Sequence, residues 1–169
     1  MPKPLAPRKR ARTARGEDVR VRSARRRALG WPRCGVSAAV FRGDEVLLIE
    51  RGKGVLKGRW SLPGGAIEAG ERAAAAALRE LGEETGVEAE LYGLVDVHEV
   101  LLYGTGDRLV AHYLLAVYFG RWLAGEPAAA SDAARARFVA MRELGAYALT
   151  QGAAALIHRA FALAKARRA

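Results

Sequence analysis

The feature that most constrains this chain is a helical segment, within residues 65–87, that carries three glutamates on one side. Glu80, Glu83 and Glu84 stand at positions i, i+3 and i+4, a spacing that places them on one face of an α-helix. Like charges repel each other there, so the arrangement does not stabilise a bare helix. Hard divalent cations such as Mg²⁺ and Mn²⁺ prefer carboxylate oxygens and also bind substrate phosphates. The cluster therefore predicts a metal site for phosphate chemistry.

The residues around the cluster predict where this helix begins, ends and packs. Glu71 is expected in the first turn, where its charge favours the positive end of the helix dipole. Gly86 suits a left-handed cap after the last turn. Leu78 and Leu81 lie largely opposite the glutamates, so we expect the leucines to pack inward and the acids to face outward.

A glycine pair before the helix completes a longer motif. Gly64 and Gly65 allow the backbone to approach a metal ion or a phosphate closely. From Gly65 onward the segment follows the pattern GX5EX7REUXEEXGU, with U aliphatic, at every specified position. These positions are Gly65, Glu71, Arg79, Glu80, Leu81, Glu83, Glu84, Gly86 and Val87. The pattern is the signature of the Nudix hydrolases, and the chain resembles that family.

The resemblance implies an enzyme that hydrolyses a nucleoside diphosphate linked to another group, cutting within the pyrophosphate. It implies that the three glutamates are metal ligands and that the carbonyl of Gly64 adds a ligand oxygen. Arg79 matches an arginine that orients the helix glutamates, often by pairing with the residue that is Glu71 here. The metal ions would polarise the phosphate oxygens and lower the pKa of the attacking water.

An acidic residue outside the motif is expected to assist the water. The family often takes such a residue from a loop well past the helix, and Ser131-Asp132-Ala133 resembles that loop. Asp132 is therefore the first candidate for a further metal ligand or for the base, and Glu126 is the second. The alternative for Asp132 is a helix or turn cap.

Candidate substrate contacts come from a basic loop, from the glycine pair and from a later strand. Arg51 and Arg59 belong to a flexible basic loop that either holds phosphates beside the site or is simply solvated. Gly65 is a candidate because its backbone can approach a substrate closely. Glu99, on the strand after the helix, is the candidate that lines the pocket.

Apolar, β-prone runs and a second helical pattern indicate an α/β fold. Strands are expected over residues 34–41 and 46–50, joined by a hairpin, with Cys34 buried as a small hydrophobe at the start of the first. Further strands are expected over residues 88–103, as one strand or two, and over 108–118 and 137–141, with a helix over 150–166. Helices that flank a mixed sheet fit an α/β/α sandwich, which is also the Nudix fold.

The basic charge of the chain is confined to its first residues. Residues 1–33 contain twelve lysines and arginines against two acids, whereas residues 34–169 contain sixteen of each. The net charge of +10 thus belongs to a tail, residues 1–33, which we expect to be disordered. A Nudix domain follows over residues 34–169. We favour a bland extension for the tail over a contact with RNA or another acidic surface.

Cysteine usage and hydropathy bear on the location of the protein. Cys34 is the only cysteine, so no intrachain disulfide forms and a reducing cytosol is expected. The sequence shows neither a secretory signal nor an apolar run of membrane-spanning length. We therefore expect a cytoplasmic enzyme with a nucleotide substrate and Mg²⁺ or Mn²⁺ as cofactor.

Within the family, residues 60–65, His112-Tyr113 and residues 130–133 look most like the bacterial ADP-ribose pyrophosphatase-like members. One alternative is a (d)NTP pyrophosphohydrolase that clears damaged nucleotides. Another is a non-catalytic module that binds a nucleotide or RNA. Many ADP-ribose-cleaving relatives are dimers, so the resemblance also allows a homodimer.

Overall fold

A computed structural model describes residues 32–168 of the chain. In chain order its elements are strands β1 (Arg33–Arg42), β2 (Glu45–Arg51) and β3 (Trp60–Ser61), helix α1 (Ala73–Thr85), strands β4 (Glu88–Tyr103), β5 (Leu109–Ala124) and β6 (Ala133–Ala140), and helix α2 (Ala153–Arg168). Short 3₁₀ turns lie at Thr105–Asp107 and Met141–Ala146. The predicted tail lies outside the described residues except for its last two positions.

Six strands form one mixed sheet between the two helices. The strand order is β3-β2-β1-β5-β4, and β6 pairs with the other edge of β2. β1 and β5 are parallel, whereas the remaining pairs are antiparallel. Alternate residues of each strand point to opposite faces: Leu48 packs on the α2 side with Ile157, and Leu47 packs on the α1 side with Leu81. The predicted α/β fold with a central mixed sheet is confirmed.

The sheet splits between β1 and β2, and the glycine-rich loop enters the split. These two strands pair only beside their turn, where Phe41 lies opposite Val46 and Arg42 opposite Glu45. Farther along, β3 pairs with β2 instead, and the loop after β3 pairs with β1. The glycine pair is therefore held by backbone hydrogen bonds on the sheet and does not hang free above it.

The fit of the loop against β1 requires glycine at position 64. The amides of Val36 and Ala38 donate to the carbonyls of Gly65 and Pro63 at 2.9 and 3.0 Å. Gly64 has a φ of 153°, and a Cβ atom there would lie 2.1 Å from the carbonyl oxygen of Val36. No side chain fits in that space, so the loop stays close to the strand.

Two predictions about packing are wrong. Cys34 is exposed, because the first positions of β1 extend past the buried part of the strand. Leu78 is 40% exposed while Leu81 is 1% exposed. The buried face of α1 includes Ala77 and Leu81, and Leu78 follows Ala77 by about 100° around the helix, which turns it away from the sheet.

β4 has the predicted bounds, whereas β5 and β6 are longer than predicted. β4 is one continuous strand and β5 extends to Ala124, because the two strands pair with each other over nearly their whole length. β6 begins at Ala133, where alanines of low β-propensity are recruited by the free edge of β2. None of the helices within residues 32–168 is long and apolar enough to cross a membrane.

Candidate functional site

Arg79 is the centre of an ionic network at the start of the site. Its guanidinium donates to both carboxylate oxygens of Glu71 at 2.9 and 3.0 Å, to Glu80 at 3.0 Å and to Glu83 at 3.3 Å. It also donates to the carbonyl oxygen of Ala66 at 3.0 Å. The two-pronged bond to Glu71 uses the planar fork that arginine presents to carboxylates. Arg79 thus ties three acids of the motif to the loop that precedes them.

Glu71 acts from outside the helix, which corrects the prediction that it opens the first turn. α1 begins at Ala73, and no acidic side chain lies in its first turn. The Glu71 carboxylate instead accepts from the amide of Glu68 at 3.1 Å and from Arg79. These hydrogen bonds lower the pKa of Glu71 below its ordinary value, the Arg79 contact most of all. Glu71 therefore stays charged and braces Arg79.

Glu84 points into the protein, so the prediction that all three glutamates face outward is wrong for this residue. It is 5% exposed and accepts the amide hydrogen of Gly64 at 2.8 Å. The pKa of Glu84 is raised to about 7, chiefly by burial and also by the charges of Glu80 and Asp132, while the Gly64 hydrogen bond and Arg51 act against the rise. A concentration of negative charge around a buried carboxylate favours a nearby cation.

Glu80 lies directly against the backbone of Gly65. A Cβ atom at position 65 would fall 2.4 to 2.5 Å from the carboxylate atoms of Glu80. A Cβ atom at Gly35 on β1 would in turn lie 2.8 Å from the carbonyl oxygen of Gly65. Gly35 could not be predicted from sequence as part of the site, since a glycine in a strand gives no local signal of what approaches it. β1, the glycine loop and α1 thus come into close contact at Gly35, Gly65 and the carboxylate of Glu80.

The loop before β6 brings Asp132 toward the same end of α1. The amide of Ala130 donates to the carbonyl of Glu84 at 3.1 Å, and the amide of Gly52 donates to the carbonyl of Asp132 at 2.8 Å. The Asp132 side chain pairs with Lys53 at 2.8 Å, and this contact lowers the pKa of Asp132. A carboxylate held in its charged form suits a metal ligand better than a general base. Lys53 belongs to the same basic loop as Arg51 and Arg59, for which the sequence left open a role beside the site.

The other predicted contacts differ in their surroundings. Arg51 is close enough to affect the charge state of Glu84, and its buried Nε has no hydrogen-bond partner among the described residues. Arg59 is exposed, and Glu126 pairs with Arg42 at 3.0 Å. Glu99 on β4 pairs with His112 at 2.8 Å. Because β5 lies between β4 and β1, the strand of Glu99 is two places away from the strand that holds the glycine loop.

The chemistry of the site fits a hard divalent cation. Its donors are the carboxylates of Glu80, Glu83 and Glu84, with the backbone of Gly64 beside them, and oxygen ligands of this kind suit Mg²⁺ or Mn²⁺. Within residues 32–168 no three acidic, histidine or cysteine side chains converge as a ready-made metal cage. Arg79 and the Gly64 amide engage the carboxylates instead, so these hydrogen bonds must rearrange when a cation binds.

Comparison with known proteins places this geometry in a family. A model of the NUDIX domain matches residues 31–160. The chain is 32% identical over 114 residues to "ADP-ribose pyrophosphatase" of Methanocaldococcus jannaschii, covering 67% of this chain and 64% of that protein. It is 44% identical over 68 residues to "8-oxo-dGDP phosphatase NUDT18" of Homo sapiens, covering 39% of this chain and 21% of that protein. The chain thus spans less than two thirds of either relative.

A solved structure agrees with this assignment. The MutT NUDIX hydrolase from Burkholderia pseudomallei superposes with a TM-score of 0.67 at 28% identity, covering 76% of this chain and 97% of that one. The match of the family model extends over most of the described chain, and the motif, the glycine loop and the mixed sheet all lie within it. The chain belongs to the NUDIX domain family.

Proposed function

We propose that this protein hydrolyses the pyrophosphate linkage of a nucleoside diphosphate derivative with a divalent cation, Mg²⁺ or Mn²⁺. The observation that carries the proposal is the contact of Glu80 and Glu84 with the Gly64-Gly65 loop. This contact places two carboxylates, which can act as anionic oxygen ligands, beside a backbone of two glycines that have no side chains. Nudix hydrolases generally use divalent metal ions, so membership of the family supports the same chemistry.

Each residue of the site has a role in this proposal. Glu80, Glu83, Glu84 and the Gly64 carbonyl would hold the cation, which when bound polarises phosphate oxygens and lowers the pKa of water. Arg79, braced by Glu71, orients the carboxylates. Water adds to one phosphorus while the bond from that phosphorus to the bridging oxygen breaks, which leaves two phosphate monoesters. Asp132 serves as a further ligand or water-orienting acceptor.

Substrate contacts are proposed for Arg51, Gly65 and, with less support from the geometry, Arg59 and Glu99. Arg51 is the strongest of these because its Nε is a buried donor with no partner in the described part of the chain. An arginine binds phosphate oxygens well through its fork of donors.

We favour an ADP-ribose-like substrate because, of the two sequence relatives named above, the one with the longer matched segment is called an ADP-ribose pyrophosphatase. The alternative is a damaged (d)NTP or its diphosphate, since the segment of higher identity belongs to a protein called an 8-oxo-dGDP phosphatase. A cytoplasmic location stays a prediction, and a homodimer and a contact of the basic tail with RNA stay alternatives that the sequence allows.

A substrate panel tests the function. The full-length protein is incubated with ADP-ribose, NADH, dinucleoside polyphosphates, dNTPs, 8-oxo-dGTP, 8-oxo-dGDP and 5′-triphosphate RNA, with and without Mg²⁺, and products are separated by chromatography. We expect AMP and ribose 5-phosphate from ADP-ribose, only with the cation present. If the protein binds a nucleotide or RNA tightly but turns over none of these compounds, the proposed enzymatic function is rejected in favour of a non-catalytic binding module.

A further inference from the structure

Residues 125–132, which we call the clamp segment, run along the last turn of α1. The amides of Ala128 and Ala130 donate to the carbonyls of Thr85 and Glu84 at 2.9 and 3.1 Å. The last carbonyls of a helix have no partner within the helix itself, so the clamp segment satisfies two of them. The backbone that carries Glu84 is therefore bonded to a segment outside the motif.

The first residue of the clamp segment packs closely against the C-terminal end of α1. Gly125 has a φ of 86°, and a Cβ atom there would lie 2.6 Å from the carbonyl oxygen of Gly86, the cap of α1. The indole Nε1 of Trp122 donates to the carbonyl of Gly125 at 2.8 Å. At its far end the clamp segment terminates in Asp132, whose charge raises the pKa of Glu84. It thus spans from the helix cap to Asp132, the first acidic candidate outside the motif.

An ion pair anchors the clamp segment to the sheet. Arg42, the last residue of β1, donates to both carboxylate oxygens of Glu126 at 3.0 and 3.2 Å. The Arg42 guanidinium carbon lies 4.0 Å from the ring centre of Phe138 and 5.7 Å from that of Trp122. Stacking on two rings restricts the guanidinium to one orientation. The position of Glu126 is therefore set by a rigid part of the sheet.

We propose that Arg42 and Glu126 are positioning residues for the metal-binding end of α1. Through the clamp segment they hold the backbone of Glu84 and the side chain of Asp132 in fixed relation, although neither Arg42 nor Glu126 joins the site. The metal-binding role of Glu84 and Asp132 rests on the proposed function. The contacts that connect Arg42 and Glu126 to the end of α1 do not depend on it. The Glu126 side chain is 79% exposed, and exposed ion pairs contribute little to global stability, so the effect is local.

Three single variants test the link. Arg42→Met removes the charge but keeps an unbranched side chain, and Glu126→Gln keeps the shape of the partner. Arg121→Met is the matched control, because Arg121 forms an exposed ion pair with Glu90 at 2.8 Å on the neighbouring strand. We measure amide hydrogen exchange at Ala128 and Ala130 by NMR, Mn²⁺ affinity by titration, and Tm.

In Arg42→Met and Glu126→Gln we expect the two amides to exchange about fivefold faster, which corresponds to about 1 kcal/mol of local opening. Mn²⁺ binding should weaken by a similar factor while Tm stays near the wild-type value. Arg121→Met should change neither quantity. If Arg42→Met does not fold, the result for Glu126→Gln decides whether the inference holds, because the Glu126 side chain is largely exposed and its replacement does not disturb the core.

Unchanged exchange at both amides would overturn the inference, and so would faster exchange with unaltered Mn²⁺ affinity. Failure of the proposed function has a different appearance. A wild-type protein that hydrolyses no compound of the panel, but loses Mn²⁺ affinity in Glu126→Gln, would sink the enzymatic proposal and keep the positioning role. If the wild type does not bind Mn²⁺, the exchange measurement alone decides whether the clamp exists.

Discussion

At the scale of single residues, Glu80 combines several contacts that a metal ligand needs. Its side chain is mostly shielded, bonded to Arg79 and in contact with Gly65. Replacing Glu80 by glutamine keeps the volume and removes the negative charge. We expect turnover on the best substrate to fall roughly 10²- to 10⁴-fold with an unchanged circular dichroism spectrum.

The control for this variant is Glu143→Gln in the 3₁₀ turn after β6, where an exposed glutamate pairs only with Arg142 among the described residues. Its turnover should match the wild type. Equal rates for Glu80→Gln and wild type would remove Glu80 from the site.

Two glycines of the motif region differ in whether they leave room for a side chain. A methyl group at Gly65 would displace the Glu80 carboxylate, whereas a Cβ atom at Gly82 meets nothing within 4 Å. We expect Gly65→Ala to lose most of its activity. Gly82→Ala should keep its activity and gain about 0.5–1 kcal/mol of stability, because alanine has less backbone entropy to lose in a helix.

Kinetic assays and thermal melts of both glycine variants, made side by side, test this contrast. If Gly65→Ala were fully active, the close packing of loop and helix would not matter for the reaction.

At the scale of elements, α1 responds to the cation as a unit. A ligand that binds only the folded state adds stability, about 2.7 kcal/mol at about 100 times its Kd, so Mg²⁺ should raise Tm by several degrees. Glu84→Gln should abolish this increase. Without metal the same variant should be at least as stable as the wild type, because glutamine accepts the Gly64 hydrogen bond without burying a charge.

Melting curves at several Mg²⁺ concentrations give both quantities. A Glu84→Gln protein that melts much lower than wild type without metal would show that the buried carboxylate stabilises the fold by itself. A persistent Mg²⁺ response in that variant would place the cation elsewhere.

The register of α1 could be predicted from sequence, but the environment of its glutamates could not. Spacings of three and four residues put Glu80, Glu83 and Glu84 on one face, and the pairing of Arg79 with Glu71 accompanies the motif. Which glutamate becomes buried depends on where the loop at Gly64 lies, and that is set by the split between β1 and β2. The exposure of Cys34 depends likewise on how far the neighbouring elements extend, which local pattern does not fix. The exposure of Leu78 depends on which side of α1 faces the sheet, and that is set by packing.

At the scale of the whole molecule, charge separates the tail from the domain. The first 33 residues carry the entire net charge, whereas each contact described for the site lies within residues 32–168. We expect deletion of residues 1–30 to leave turnover on small nucleotides unchanged. Any effect should be confined to RNA, through lost attraction to phosphates, and should fade as salt rises.

Rates for the full and shortened chains on ADP-ribose and on 5′-triphosphate RNA, at low and high salt, measure this. A large loss on the small substrate would mean that the basic tail contributes to the site itself.

The parallel pairing of β1 with β5 has a consequence for biosynthesis. Arg33 lies opposite Tyr113 and Phe41 opposite Arg121, so the centre of the sheet joins residues about 80 positions apart. Such contacts form late because a long loop must close first. During synthesis, β1 therefore cannot pair with β5 until most of the domain has left the ribosome. Until then the apolar residues of β1 are prone to aggregation unless a chaperone or transient pairing with β2 covers them.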